Sequence, residues 1–129
     1  MILSTLFLLM ACSSNEATQG IIFTPKEVVA NWEAQSVEIT ANQYFDVDYV
    51  LIGESWEEGY HGVESFYIMS EDKSYAFECE WLRWVHDGPS GVSTLYLEEN
   101  TSGVTRKAYV AADNGDVFGR FYITQLAKE

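Results

Sequence analysis

Apolar and polar side chains alternate with a period of two along most of the chain after residue 20, which is the pattern of β-strands with one buried face. The runs with this pattern are residues 21–23, 36–41, 45–52, 63–69, 75–85, 92–98, 105–112 and 117–126. Residues 25–35 fit either a helix that starts at Pro25 or a bulged strand. The sequence therefore predicts an all-β fold, an antiparallel immunoglobulin-like β-sandwich of about eight strands.

The alternation also predicts which residues face the core and how the strands are joined. In residues 45–52, one face carries Phe45, Val47, Tyr49 and Leu51 and the other begins with Asp46 and Asp48, but the polar phase is lost at Val50 and Ile52. Residues 47–51 and 63–69 are expected to form a hairpin around the loop 53–62. The pair Asn114-Gly115 predicts a tight hairpin with a type I′ turn between the last two strands.

The chain begins with an apolar run, residues 2–11, that ends in Leu9-Met10-Ala11-Cys12. This run resembles the lipobox of bacterial lipoproteins, in which the preceding peptide is removed and the cysteine is lipidated. The resemblance implies that residues 1–11 are a signal peptide, Cys12 is the lipidated N-terminus and residues 12–20 are a flexible tether. Because two or more acyl chains anchor a protein stably, we expect an exported protein that is lipid-anchored to the bacterial envelope, at the outer membrane and cell surface.

Charge narrows the classes of partner. The chain has 20 acidic and 7 basic residues, for a net charge of −13. Nucleic-acid binding requires a basic patch that neutralises phosphates, so no nucleic-acid partner is expected. The same charge disfavours adsorption to anionic lipid, so the membrane is expected to be reached through the lipid anchor alone.

Removal of residues 1–11 leaves 129 − 11 = 118 residues, and residues 21–129 are predicted to form a single domain.

The sequence predicts no catalytic or metal site. Cys79 alternates with Phe77 and Trp81, so it is expected to be a small buried core residue. The two histidines, His61 and His86, are far apart and have no clustered partner, so no zinc site is expected. Paired carboxylates occur, but they suit solvated faces and turns better than a substrate cleft. We therefore expect a protein that is not an enzyme and that uses no cofactor and no metal.

The second half of the chain carries a recognisable order of motifs. The order is Trp81-Leu82, a glycine-containing turn at 88–91, a strand at 93–97, Asn100, a strand led by Arg106 and a closing strand that ends in Thr124-Gln125. This order resembles the BACON domain, a bacterial immunoglobulin-like module, and residues 36–42 resemble an earlier strand of that family. The resemblance implies a β-sandwich, an extracytoplasmic location and association with systems that acquire glycans.

Residues 53–62 are the strongest candidate for a binding site. They combine 3 glycines and 3 acidic residues with Trp56, Tyr60 and His61. Exposed aromatic rings stack on the apolar faces of sugars, and the same rings suit protein interfaces. Alternatively, Trp56 and Tyr60 fold back as a lid over the end of the sandwich. We thus expect a module that binds glycans or is accessory to glycan acquisition; the alternative is a protein-interaction lipoprotein, acting as a spacer, an adhesin or an inhibitor of a neighbouring enzyme.

Overall fold

The computed structural model describes residues 20–62 and 68–129, which form eleven β-strands and no helix, hence none that could cross a membrane. The strands are β1 (Phe23–Thr24), β2 (Glu27–Ala30), β3 (Gln35–Ala41), β4 (Asp46–Ile52), β5 (Tyr60–Gly62), β6 (Ile68–Met69), β7 (Tyr75–Cys79), β8 (Leu82–His86), β9 (Ser93–Leu97), β10 (Arg106–Asp113) and β11 (Phe118–Gln125). The all-β prediction is confirmed, with more strands than expected. The signal peptide and Cys12 predicted from the sequence lie outside the described residues.

The strands form two sheets with the immunoglobulin order. One sheet has six strands in the order β1-β3-β9-β8-β7-β6, and the other has five in the order β2-β11-β10-β4-β5. In immunoglobulin lettering, β1, β3, β9 and β8 take positions A, B, E and D, while β4, β10 and β11 take C, F and G. The described pairs are antiparallel except β2 with β11, which is parallel. The predicted immunoglobulin-like sandwich is therefore confirmed, and β7 and β6 extend its six-stranded sheet.

The core between the sheets is aromatic at its centre. Trp84 is fully buried, and its ring centroid lies 6.4 Å from that of Phe45, 6.2 Å from Phe77 and 5.8 Å from Phe121. These four rings come from both sheets and from the connection before β4, so they join the two layers. Cys79 is buried beside them as predicted, and burial, followed by the charge of Glu80, raises the pKa of its thiol to about 12.

Strand β4 departs from the predicted alternation because it contains a β-bulge. Successive residues of β10 pair with Val47 and Tyr49, which leaves Asp48 without a partner in the ladder. After the bulge, Val50 faces the core, while Tyr49 and Leu51 lie outside the core cluster. The prediction that Phe45, Val47, Tyr49 and Leu51 share one face is therefore wrong. Phe45 and Val47 belong to the core cluster, whereas Tyr49 and Leu51 do not, because one inserted residue reverses a period of two.

Two predicted connections also differ. Strand β4 pairs with Tyr60–Gly62, which the prediction placed in the loop. Ile68–Met69, predicted to pair with β4, pairs with β7, and residues 63–67 lie outside the described residues. The last hairpin is confirmed, but its turn is not type I′, since Gly115 has a φ of 96° and Asn114 has no positive φ. Instead, the Asn114 side-chain oxygen accepts hydrogen bonds from the backbone amides of Asp116 and Val117.

The sequence left open whether residues 25–35 form a helix or a strand, and the structure shows that they contain strand β2. Within this segment Val28 and Ala30 are buried while Val29 is exposed, which is the alternation of a strand at the edge of a sheet. Between β1 and β2 the chain crosses from the six-stranded sheet to the five-stranded sheet. Strand β2 covers the free side of β11 by parallel pairing, so the five-stranded sheet ends in a short strand at each edge.

Candidate functional site: an aromatic sheet face

The outer face of the five-stranded sheet, turned away from the core, carries a row of aromatic rings, which we call the aromatic face. Its members are Tyr49, Trp56, Tyr60, Tyr109 and Tyr122. Ring centroids lie 4.8 Å apart for Trp56–Tyr60, 5.1 Å for Tyr49–Trp56, 6.1 Å for Tyr49–Tyr109 and 5.6 Å for Tyr109–Tyr122. The rings therefore form one continuous surface across β5, β4, β10 and β11.

The rings of the aromatic face remain accessible although they touch one another. Trp56 is 56% exposed, Tyr60 51% and Tyr122 50%. Leu51 pairs with Tyr60 on one side and with Tyr109 on the other, and it is only 1% exposed. Because Leu51 lies outside the core cluster, its burial comes from the rings around it. The face is thus a packed layer with an apolar floor and a solvent-facing top.

The loop that carries Trp56 is held in place by its own polar groups. The Glu58 carboxylate accepts hydrogen bonds from the backbone amides of Glu54 and Ser55. Gly53, at the start of the loop, has a φ of 90° and donates its amide to the Lys107 carbonyl at 2.6 Å. Lys107 Nζ in turn lies 2.9 Å from Glu54 Oε1. The loop is therefore bound to β10 at its base.

This anchoring decides the position of the aromatic pair predicted from the sequence. Trp56 and Tyr60 pack on Tyr49, on the sheet face, and not as a lid over the end of the sandwich. His61 follows Tyr60 in β5 and therefore points to the opposite side of the sheet. It pairs with Val50, a core residue, and is half-buried. The structure brings Trp56 and Tyr60 together and leaves His61 outside the aromatic face.

Sequence reasoning missed three members of the aromatic face. The inward residues of β10 and β11 were predicted from the sequence, and Tyr109 and Tyr122 lie at the alternate, outward positions of these strands. They pair directly across the ladder. An aromatic residue in the outward phase of each of two adjacent strands was the available signal. Tyr49 was grouped with Val47 and Leu51, because the loss of the polar phase at the end of the run indicated a change without placing the bulge at Asp48.

A polar groove of about 400 Å³ adjoins the aromatic face over β10 and β11. Its lining includes Glu54, Lys107, Tyr109, Arg120, Tyr122 and Thr124. The Arg120 guanidinium carbon lies 5.4 Å from the centroid of the Tyr109 ring. A hydrogen bond with Tyr122, and then the neighbouring phenols, raise the pKa of Arg120, while a hydrogen bond with Tyr49, followed by burial, raises the pKa of Tyr109. The groove thus supplies charged and hydroxyl groups beside the rings.

A larger cavity of about 550 Å³ lies at the other end of the sandwich and offers less to a ligand. Its one half-exposed ring, Tyr44, already carries Lys73 Nζ at 5.8 Å from its centroid. Its histidine, His86, is buried, with Nδ1 2.7 Å from Ser93 Oγ. Within residues 20–62 and 68–129, no three His, Cys, Asp or Glu side chains gather in a way that would hold a metal ion. The aromatic face is the better-supported site.

Comparisons with known proteins bear on the fold. No protein-family model matches the chain, and no curated protein matches it. Among solved structures, the chain is similar to a protein from Bacteroides thetaiotaomicron whose structure was determined by NMR, with a TM-score of 0.58 and 18% identity over 80% of this chain and 77% of that one. At this identity the similarity concerns the fold alone.

Proposed function

We propose that this protein is a non-catalytic, lipid-anchored module of the bacterial envelope that binds glycans through its aromatic face. The observation that carries this proposal is the row of five contacting rings on a sheet face that the core does not use. Sugar rings present apolar C–H faces, so aromatic rings bind them by excluding water, while polar groups at the edge take the hydroxyls. Exposed apolar patches of this kind mark interaction sites.

The shape of the aromatic face favours a chain of sugars over a single small molecule. The rings span four neighbouring strands, and three strand spacings of about 4.8 Å make a surface roughly 14 Å long. The ring planes are inclined by 34° between Trp56 and Tyr60 and by 47° between Tyr109 and Tyr122. The rings therefore line an uneven surface along the strands and do not enclose a pocket. Such a surface contacts successive units of an oligosaccharide without enclosing any of them.

The resemblance to the BACON domain supports the ligand class and the location, while its motif residues have a different task. Arg106 donates two hydrogen bonds to Gln125 Oε1, at 3.0 and 2.8 Å, and Gln125 is fully buried. Asn100 is also fully buried, and it donates to the carbonyls of Val104 and Leu126 at 2.9 and 3.0 Å. These residues hold the strand ends together, so ligand binding is proposed outside the motif that carries the resemblance.

The glycan-binding proposal is tested with the full chain on a glycan array and by calorimetry on the ligands found. Trp56→Ala and Tyr60→Ala should each weaken binding by about tenfold or more, because each removes an exposed stacking ring. Tyr96→Ala is the matched control, since Tyr96 is 42% exposed on the outer face of the other sheet. It should bind like the wild type.

Trp56→Ala and Tyr96→Ala should unfold within about 0.5 kcal/mol of the wild type, because their side chains are exposed. Tyr60→Ala should fold and lose more stability than these two, because its ring covers Leu51. Equal binding by wild type and Trp56→Ala would contradict the proposal. Binding to no glycan, combined with Trp56-dependent capture of one envelope protein, would replace it with the protein-interaction alternative, since the same rings suit a protein hot spot.

The anchoring part of the proposal rests on Leu9-Met10-Ala11-Cys12 and is tested separately. Cells fed a labelled fatty-acid analogue should tag the wild type and leave Cys12→Ala untagged. The variant should also leave the membrane fraction, because a chain with net charge −13 has little other attraction to an anionic bilayer. Equal membrane retention of the two forms would exclude lipid anchoring at Cys12.

A further inference from the structure

The groove on the aromatic face contains an uncompensated positive charge. Lys107 and Arg120, both in its lining, are two of only 7 basic residues in a chain of net charge −13. Lys107 Nζ is neutralised by Glu54 Oε1 at 2.9 Å. Arg120 is exposed, and no carboxylate of residues 20–62 or 68–129 lies within ion-pair distance of it. Among the described residues, Arg120 therefore has no carboxylate partner, and it lies in the groove beside the aromatic face.

The position of Arg120 is set by the aromatic face. The guanidinium carbon lies over the Tyr109 ring at 5.4 Å from its centroid, and Tyr122 lines the same groove. Stacking occupies a face of the guanidinium and leaves the N–H groups at its edge for other partners. A planar fork of N–H donors matches the two oxygens of a carboxylate, and such charge-assisted pairs are among the stronger hydrogen bonds in proteins.

We infer that this groove binds a sugar residue that carries a carboxylate, such as a uronic or sialic acid, with Arg120 as the carboxylate-binding residue. The inference rests on the proposed glycan-binding function and narrows its ligand class from glycans in general to acidic glycans. A sugar ring stacked on Tyr122, which is 50% exposed, has its substituents beside Arg120. The Thr124 hydroxyl in the same groove is placed for the ring hydroxyls.

The other sheet supplies a matched control. Arg83 stacks on Tyr96 at 5.2 Å, much as Arg120 stacks on Tyr109, but its Nε lies 3.9 Å from Glu78 Oε1. Among the described residues, Arg83 therefore repeats the arginine–tyrosine pair with a carboxylate partner and without a row of contacting rings beside it. Replacing either arginine by glutamine changes the net charge by the same amount, so a difference between the two variants reports on the groove and not on overall charge.

The experiment is calorimetric titration of the full chain in detergent with two pairs of probes. One pair is an oligogalacturonate and its methyl ester, and the other is sialyllactose and lactose. In at least one pair, the acidic member should bind about tenfold tighter or more than its neutral counterpart, as expected for a hydrogen bond to a charged group. Arg120→Gln should abolish this preference, and Arg83→Gln should keep it.

The outcomes separate this inference from the function it rests on. Equal affinity for the acidic and neutral members, with binding still dependent on Trp56, would overturn acidic-sugar recognition and leave glycan binding intact. An equal loss in Arg83→Gln and Arg120→Gln would also overturn it, because net charge would then explain the preference. Binding of neither pair, nor of any array glycan, would overturn the proposed function itself. Arg120→Lys keeps the charge but not the fork, and it should lose most of the preference even if Arg120→Gln folds poorly.

Discussion

Both outer faces of the sandwich are β-sheet surfaces, but the side chains on them differ in polarity. On the six-stranded sheet, the outward residues of β3 and of the hairpin β7–β8 are mostly polar, and Tyr96 is the exposed aromatic residue among those described. Arg83 covers this ring and pairs with Glu78. On the five-stranded sheet, five contacting rings replace that polar surface, and the arginine beside them has no carboxylate partner among the described residues.

The difference shows which surface the fold needs and which it does not. A sandwich needs one apolar face on each sheet, and the remaining faces are free to be polar. The six-stranded sheet follows this rule, while the five-stranded sheet adds a second apolar layer around Leu51, which is 1% exposed outside the core cluster. These exposed rings, which the core does not need, are the observation on which the proposed binding site rests.

The largest expected effect concerns the core that supports both faces. Trp84→Ala removes a fully buried ring that touches Phe45, Phe77 and Phe121, and it should lower the free energy of unfolding by about 3–5 kcal/mol. Denaturant unfolding measures this loss. A change under about 1 kcal/mol would mean that the two sheets are not held together by this cluster.

A smaller effect tests how far the aromatic face extends. Tyr122→Ala removes its end on β11, three strands away from Tyr60, and should weaken glycan binding by about 1–2 kcal/mol with little change in stability. His61→Ala is the control, because His61 points away from the face. If His61→Ala weakens binding and Tyr122→Ala does not, the site is limited to the loop 53–62 and its neighbours, and the comparison of whole faces fails.

The smallest expected effect is a pH dependence of the free energy of unfolding, which should involve the core and not the aromatic face. Burial lowers the pKa of His86, against the weaker opposing effects of Asp87 and Asp46. Since the unfolded chain then binds the proton more readily, the stability contributed by neutral His86 is complete above the unfolded pKa of about 6.5 and is lost as pH falls below it. Unfolding measured from pH 7.5 to 5 should show this loss, and His86→Gln should flatten the slope.

The same titration should leave binding of neutral glycans unchanged, because His86 lies in the core and lines the cavity at the other end of the sandwich. The lowered pKa values of Asp72 and Asp87 do not interfere, since each carboxylate starts from 3.8 and is lowered further. Parallel loss of stability and neutral-glycan binding over this range would show that the core and the aromatic face are coupled.

Some of the site was visible in the sequence. Trp56 and Tyr60 stand out in a loop of glycines and acids that makes a poor core element, and the structure places both on the aromatic face. His61 looked equivalent by composition and lies on the other side of β5, because adjacent residues of a strand point in opposite directions.

By itself, the sequence determined the strands with long alternating runs and their buried residues, such as Ile39, Leu95 and Phe121. Alternation is local, and water sorts the two faces of each strand in the same way wherever the strand lies. Only the tertiary structure decided the bulge at Asp48, which turns Tyr49 outward, and the register that sets Tyr109 beside Tyr122. Both depend on pairing with residues far away in the chain, and no local pattern specifies such pairing.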